Sequence, residues 1–286
     1  MEAQPISATE FRGRQRAQWN TAATGWQKWS EYIDRTARPV SRRLVELAGV
    51  KEGDRVLDVA AGYGEPSLTA AQAVGPGGEV VATDISHEML AFGRERASRA
   101  GIENIEFVES DASSLEFPPE TFDAVVSRWG IIFEPDGEGA AARVRGFLKG
   151  GARMAISSWG PPERVPFLSV AMGTVMRKLD ILPPPPGTPG PMSRPTTDAL
   201  GGLLEGGGFS DVSVEEIEVP WEFESPEQAT ACTRDIAAPI NAMLEPHPAE
   251  VQEEAWAEVT AAFREHAVEG GRVLLPSVSL LASGRA

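Results

Sequence analysis

A chain of 286 residues, 42% of them hydrophobic, has enough apolar material for one large core. Its 26 basic and 42 acidic side chains leave a formal net charge of −16, which repels a phosphate backbone and argues against nucleic-acid or anionic-membrane partners and against a polyanionic substrate. A lone cysteine, Cys232, excludes an internal disulfide and every multi-cysteine metal site, and no metal is expected.

The opening stretch MEAQPISATEFRGRQRAQW lacks a basic start followed by an apolar run. Nothing further on approaches the roughly 18 apolar residues that span a bilayer, so a cytoplasmic protein without membrane insertion is expected. Residues 1–45 read as an N-terminal helical segment, ahead of a single domain over 46–286. Between residues 11 and 45, Arg12, Arg14, Arg16, Lys28, Arg35, Arg38, Arg42 and Arg43 face only Glu31 and Asp34. That imbalance describes a solvated face that pairs with the acidic body. Trp19, Trp26 and Trp29, spaced by seven and three, fall near one helix face.

From residue 38 to 160 short β-branched runs alternate with helical stretches, the pattern of βαβ units on a parallel sheet. Strands are predicted at 55–60, 79–84, 105–110, 122–128 and 153–159, with helices at 65–74, 87–100 and 138–148. Right-handed connections place those helices on both faces. The tail differs: DVSVEEIEVPWEF at 211–223 alternates like a half-exposed strand and VLLPSVSLLASGRA at 273–286 supplies a last one, an antiparallel edge that completes a Rossmann-like, mostly parallel α/β sheet of seven strands. Helical insertions at about 165–205, with the loop ILPPPPGTPGPMSRP, and 226–268 are read as a cap over the site.

The chemistry concentrates where strands end. RVLDVA runs into Ala60, Ala61, Gly62, Tyr63 and Gly64, a turn whose glycines let the backbone approach a ligand at the sheet's carboxyl edge. Ser67 stands where the dinucleotide fingerprint has its third glycine, and Asp58 lies in the strand just before the turn. A carboxylate there suits a ligand with a cationic amino-acid end, such as S-adenosylmethionine, and opposes a pyrophosphate. Asp84 closes the second strand twenty residues after Gly64 and is placed to accept both ribose hydroxyls, each such bond worth about 1.5–3 kcal/mol. After the third strand, Asp111 is positioned for an adenine amine and Ala112 for a backbone contact, with Ile85, Met89 and Leu115 as apolar walls.

The run RVLDVAAGYGEPSL, VVATDISHEML, IEFVESDASSLEFPPETFDAVVSRWGIIF and GGARMAISSW resembles the class I methyltransferases, especially the UbiE/COQ5-like group of the methyltransferase domain 11/25 type, over about residues 38–160. The resemblance implies that Asp58, Ala60, Gly62 and Gly64 line the methionine end of S-adenosylmethionine, Asp84 the ribose, Asp111 and Ala112 the adenine, and Ser127 and Arg128 the strand-four side. It further implies that the N-terminal helix closes over the cofactor, beside the plain reading in which its tryptophans pack that helix onto the core. Two positions depart from the group: Glu65, where a small or hydroxyl residue is commoner, and Glu134, where relatives often carry an aromatic.

Methyl transfer from a sulfonium is an in-line displacement that asks mainly for positioning and desolvation of a small, largely apolar acceptor, attacked through O, N or C. Trp129 is expected near the transferred methyl, where an aromatic face attracts a cation. His87 reads as a helix-start residue, and His247 and His266 in the cap are weak candidates for a base. Two rival readings are a non-catalytic protein that binds the nucleoside and, on the same fold, an NAD(P)-dependent oxidoreductase.

Overall fold

A computed structural model describes residues 8–185 and 187–286. Residues 1–7 of the expected N-terminal segment, and Pro186 of the proline loop, lie outside the described residues. Seven strands form one sheet in the order β3-β2-β1-β4-β5-β7-β6. They are β1 (Arg55–Val59), β2 (Glu79–Asp84), β3 (Ile105–Glu109), β4 (Phe122–Arg128), β5 (Leu148–Trp159), β6 (Ser210–Phe223) and β7 (Val273–Arg285). β1, β2 and β4 are sequestered on both sides, which is why VLDV, VVATD and AVVSR are mainly apolar, with their polar residues at or near the carboxyl ends. β5 begins five residues before its predicted start, because Leu148 pairs with Phe122 ahead of a register shift near Ala124. β7 pairs antiparallel with both β5 and β6, so it alone runs against the rest and β6 forms the edge.

The helices are α1 (Ala8–Leu47), α2 (Ser67–Val74), α3 (His87–Arg99), α4 (Gly137–Arg145), α5 (Pro166–Lys178), α6 (Thr197–Gly206), α7 (Pro226–Ile236), α8 (Ala238–Leu244) and α9 (Ala249–Arg264). On one face of the sheet, residues of α1, α2 and α3 share a core that continues into the cap through Phe167, Trp221 and Trp256. On the other face Val144 of α4 and Leu200, Leu203 and Leu204 of α6 form a second core with Leu57 and Val125. α6 falls inside the first expected insertion, yet its leucines seal the underside of the sheet, so it takes no part in covering the site.

The expected boundary at residue 45 falls inside α1. Ile33, Ala37, Val40 and Leu44, at i, i+4, i+7 and i+11, are each 0% exposed, so the second half of α1 belongs to the main core and the helix runs on to Leu47.

β5 stays paired with β7 only as far as Trp159 opposite Ser279, whereas β6 remains paired with β7 out to Phe223 opposite Val273. The β6–β7 ribbon therefore projects past the rest of the sheet. Its apolar face (Val219, Trp221, Phe223, Val273, Leu275) supports α5 and α7–α9 above the carboxyl ends of the parallel strands.

Candidate functional site

Beyond those strand ends lies a cavity of about 1440 Å³, mouth included, reached by the tips of β1, β2 and β4 and the loop after β3. Ala60 (φ 58°) and Trp129 (φ 55°) both take the left-handed conformation where β1 and β4 end, at about 1–3 kcal/mol each for residues with side chains. The two tips nearly touch: a Cβ on Gly130 would lie 2.4 Å from the Ala60 Cβ, so only glycine fits there. Chain connections leave β1 and β4 toward opposite sides of the sheet, which opens a crevice for ligands between them.

Acidic groups mark one end. The Gly62 N–H donates to Asp84 Oδ2 and the Ser86 N–H to Oδ1, both at 2.8 Å, so this carboxylate ties the glycine turn to the start of α3. Burial pushes Asp84 up to about 6 against these donors. Asp111 is partly buried, which opposes ionisation. Hydrogen bonds from Ser113 and Ser114, with Arg12 nearby, nevertheless hold it below the usual carboxylate range. Glu134 also lines the cavity, and burial followed by the charge of Asp111 pushes it up to about 7.

The glycine turn holds a charged group of different character. Arg128 is 6% exposed and donates to Ser41 Oγ and to the Tyr63 hydroxyl, both at 2.9 Å and both neutral. The Tyr63 hydroxyl in turn donates to Asp34 Oδ1, and the other oxygen of Asp34 pairs with Arg96. Asp58 lies beneath the turn at 0% exposure, where its Oδ2 accepts from Ser67 Oγ at 2.5 Å and its Oδ1 has no partner among the described residues.

Aromatic rings wall the far end. Trp129 stacks on Trp159 with centroids 4.2 Å apart, and Phe167 stacks on Trp221 at 3.8 Å. Leu168, Met172, Ile236 and Ile240 of the cap complete this apolar chamber. The Trp221 Nε1 is buried there with no hydrogen-bond partner among the described residues.

The first turns of α1 cross the acidic end. Arg12 bonds Ser113, Gln15 bonds the Phe133 carbonyl at 3.0 Å, Arg16 the Ile85 carbonyl at 3.2 Å, and Asn20 accepts from Ser86. Trp19 and Trp26 line the cavity; Trp29 turns aside, its N–H donating to Asp235 of α7.

Of the residues singled out in the sequence, Ala60, Gly62, Asp84, Ile85, Met89, Asp111, Ala112, Arg128 and Trp129 share this cavity. Four others do not. Asp58 is roofed by the turn, and Ser127 accepts the Ile131 N–H at 3.1 Å below the cavity floor. Gly64 (φ 102°) instead allows close approach of α3, since its Cβ would meet the Gly93 Cα at 3.4 Å. Leu115 joins the core on the other face of the sheet. The histidines also fall outside. His247 sits in the turn after α8, His266 follows α9 and bonds the β7 backbone, and His87 is exposed beside Glu109. Sequence reasoning missed Tyr63, Gln15, Phe133 and the rings of Trp159, Phe167 and Trp221 as wall residues. For Glu65 and Glu134 the signal was present, since both stood out as departures. Among the described residues no group of three or more His, Cys, Asp or Glu side chains could hold a metal ion.

This strand order, with carboxylates at the ends of the second strand and after the third, defines a Rossmann-like α/β protein with a crevice at its switch point. The model of the ubiE/COQ5 methyltransferase family matches residues 36–179, and the chain belongs to that family, within the class I S-adenosylmethionine-dependent methyltransferases. It is 36% identical over 143 residues to the aklanonic acid methyltransferase DauC of Streptomyces sp. strain C5, covering 47% of this chain and 65% of that protein. It is 39% identical over 122 residues to the ubiquinone/menaquinone biosynthesis C-methyltransferase UbiE of Ectopseudomonas mendocina, covering 42% and 48%. The match thus spans between about half and just under two thirds of those relatives' length. In fold the chain is similar to the YcgJ protein of Bacillus subtilis, with a TM-score of 0.56, 20% identity, and coverage of 86% of this chain and 97% of that one.

Proposed function

We propose that the protein transfers the methyl group of S-adenosylmethionine to an O, N or C atom of a small, largely apolar molecule. The observation that carries this reading is the continuity of one cavity from Asp84 and Asp111 to the chamber of Trp129, Trp159, Phe167 and Trp221, so that donor and acceptor meet in one space. The residues present fit the cofactor. Asp84 keeps lone pairs for the ribose hydroxyls, Asp111 and Ala112 offer a polar edge to adenine, and the buried Arg128, bonded among the described residues to hydroxyl groups, offers an anion a partner. When bound, the cofactor supplies an electrophilic methyl group on a sulfonium.

The chain's own residues position the reactants and exclude water. Alignment of this kind contributes about 7–11 kcal/mol of barrier reduction in well-oriented intramolecular reactions. The ring of Trp26 borders the cavity with a face that favours a cation, and the Trp221 N–H, without a partner among the described residues, is a donor available to a polar atom of the acceptor. No histidine reaches the cavity, in keeping with catalysis by positioning. The relatives named for aklanonic acid and for ubiquinone and menaquinone biosynthesis accord with a small organic acceptor. The net charge of −16 disfavours a nucleic-acid partner, and the single, buried Cys232 suits the cytosol.

Calorimetric titration with S-adenosylmethionine tests the cofactor reading. Wild type is expected to bind, and Asp84→Ala to bind at least tenfold more weakly, about 1.4 kcal/mol. Absence of binding by wild type, or equal binding by the variant, contradicts it.

A further inference from the structure

We propose that Glu65 and Arg128, acting as a pair of opposite charges, read the zwitterionic amino-acid end of the cofactor, and that Asp58 does not touch it. The inference rests on the cofactor reading above and assigns the residues that act at one end of that site.

The sequence points to Asp58, because it is the acidic residue beside the glycine turn. Its carboxyl is 0% exposed and does not border the cavity; its one side-chain donor, Ser67 Oγ, belongs to α2. Burial pushes it up to about 8, which leaves it largely neutral at pH 7. A neutral, enclosed acid cannot attract an ammonium group across the turn.

Glu65 lies seven residues on and does border the cavity. Thr69 Oγ1 holds its Oε2 at 2.8 Å from the first turn of α2, fixing the side chain, while no bond among the described residues is directed at Oε1. Arg128 borders the cavity as well. Its two hydrogen bonds go to the Ser41 and Tyr63 hydroxyls, and no carboxylate pairs with it among the described residues. A guanidinium does not lose its proton; Glu65 and Asp34 offset the burial of Arg128 without bonding it, and an anion in the cavity would give it a direct charged partner. Glu65 is close enough for its charge to act on Arg128. An α-carboxylate facing Arg128 and an α-ammonium facing Glu65 satisfy both groups at once. A pyrophosphate satisfies Arg128 and is repelled by Glu65.

The test compares two ligands by calorimetry on the full chain: S-adenosylhomocysteine, and 5′-methylthioadenosine, which has the same nucleoside and sulfur but no amino-acid end. Glu65→Gln and Arg128→Lys are each expected to weaken S-adenosylhomocysteine at least fivefold and to change 5′-methylthioadenosine less than twofold. Asp58→Asn is expected to change both less than twofold. Loss of the same factor for both ligands in Glu65→Gln, loss for neither, or a selective loss in Asp58→Asn overturns the proposal while leaving the cofactor site standing. If wild type binds neither ligand, the cofactor reading fails and this inference with it.

Discussion

Burial acts on two carboxyls of adjacent strands with different consequences. Asp58 is pushed up to about 8 and Asp84 to about 6, the smaller rise reflecting the backbone N–H donors aimed at Asp84. A carboxyl whose folded pKa lies above its ordinary value near 3.8 contributes its stability below that value and loses it as pH rises through the folded pKa. Thermal denaturation from pH 4 to 9 is therefore expected to show wild type losing stability through about pH 8, with Asp58→Asn flatter and higher in Tm at pH 9. Parallel curves for the two proteins would contradict this. At Asp84 the ligand needs the ionised acceptor, so affinity for S-adenosylhomocysteine should fall as pH drops through about 6. Glu134, raised to about 7, titrates in the same range, and the profile is best read in Glu134→Gln. A pH-independent affinity between 5 and 7.5 in that variant counts against Asp84. The positions of Asp58 and Asp84 were plain in the sequence, but which carboxyl would face the cavity was not: strand alternation names a face and does not reveal that the turn after β1 folds over Asp58.

At the scale of elements, strand limits follow directly from β-branched runs bounded by glycine and charge, and β2 and β4 fall where expected, at 79–84 and 122–128. Helix α1 was legible in its amphipathic stripe and less so in its partners, because contacts such as Trp26 to the Ile236 carbonyl and Lys28 to Asp235 join residues more than two hundred positions apart. Those contacts depend on one small residue. A Cβ on Gly25 would sit 2.0 Å from the Asp235 carbonyl oxygen. Gly25→Ala must push α1 away from α7, at about 1–3 kcal/mol, because overpacked cores pay for backbone shifts. A lower Tm, together with weaker nucleoside binding from displacement of Trp19 and Trp26, is the expected outcome; an unchanged Tm excludes so tight an interface. The basic face expected of α1 does pair with the acidic body, through Arg43 with Glu215 at 2.6 Å, Lys28 with Asp235 and Arg16 with Glu109.

For the molecule as a whole, the parallel sheet and its switch-point crevice follow from local patterns, whereas the chamber comes from the ends of distant elements brought together. Trp159 closes β5, Phe167 lies in the first turn of α5 and Trp221 lies near the end of β6, so their contact is a product of the projecting β6–β7 ribbon. No local periodicity carries that information. The same ribbon separates the two expected insertions, with α5 and α7–α9 above the strand ends and α6 beneath the sheet. Methyl transfer by this geometry is a property of the joined cavity and not of the fold alone. Its most direct measurement is transfer of a labelled methyl group from S-adenosylmethionine to small molecules of a metabolite extract. The protein is expected to label at least one apolar, low-molecular-weight species in amounts exceeding the enzyme present, with loss of labelling in Asp84→Ala. Binding of S-adenosylmethionine without transfer to any acceptor would contradict that claim and identify a nucleoside-binding protein instead.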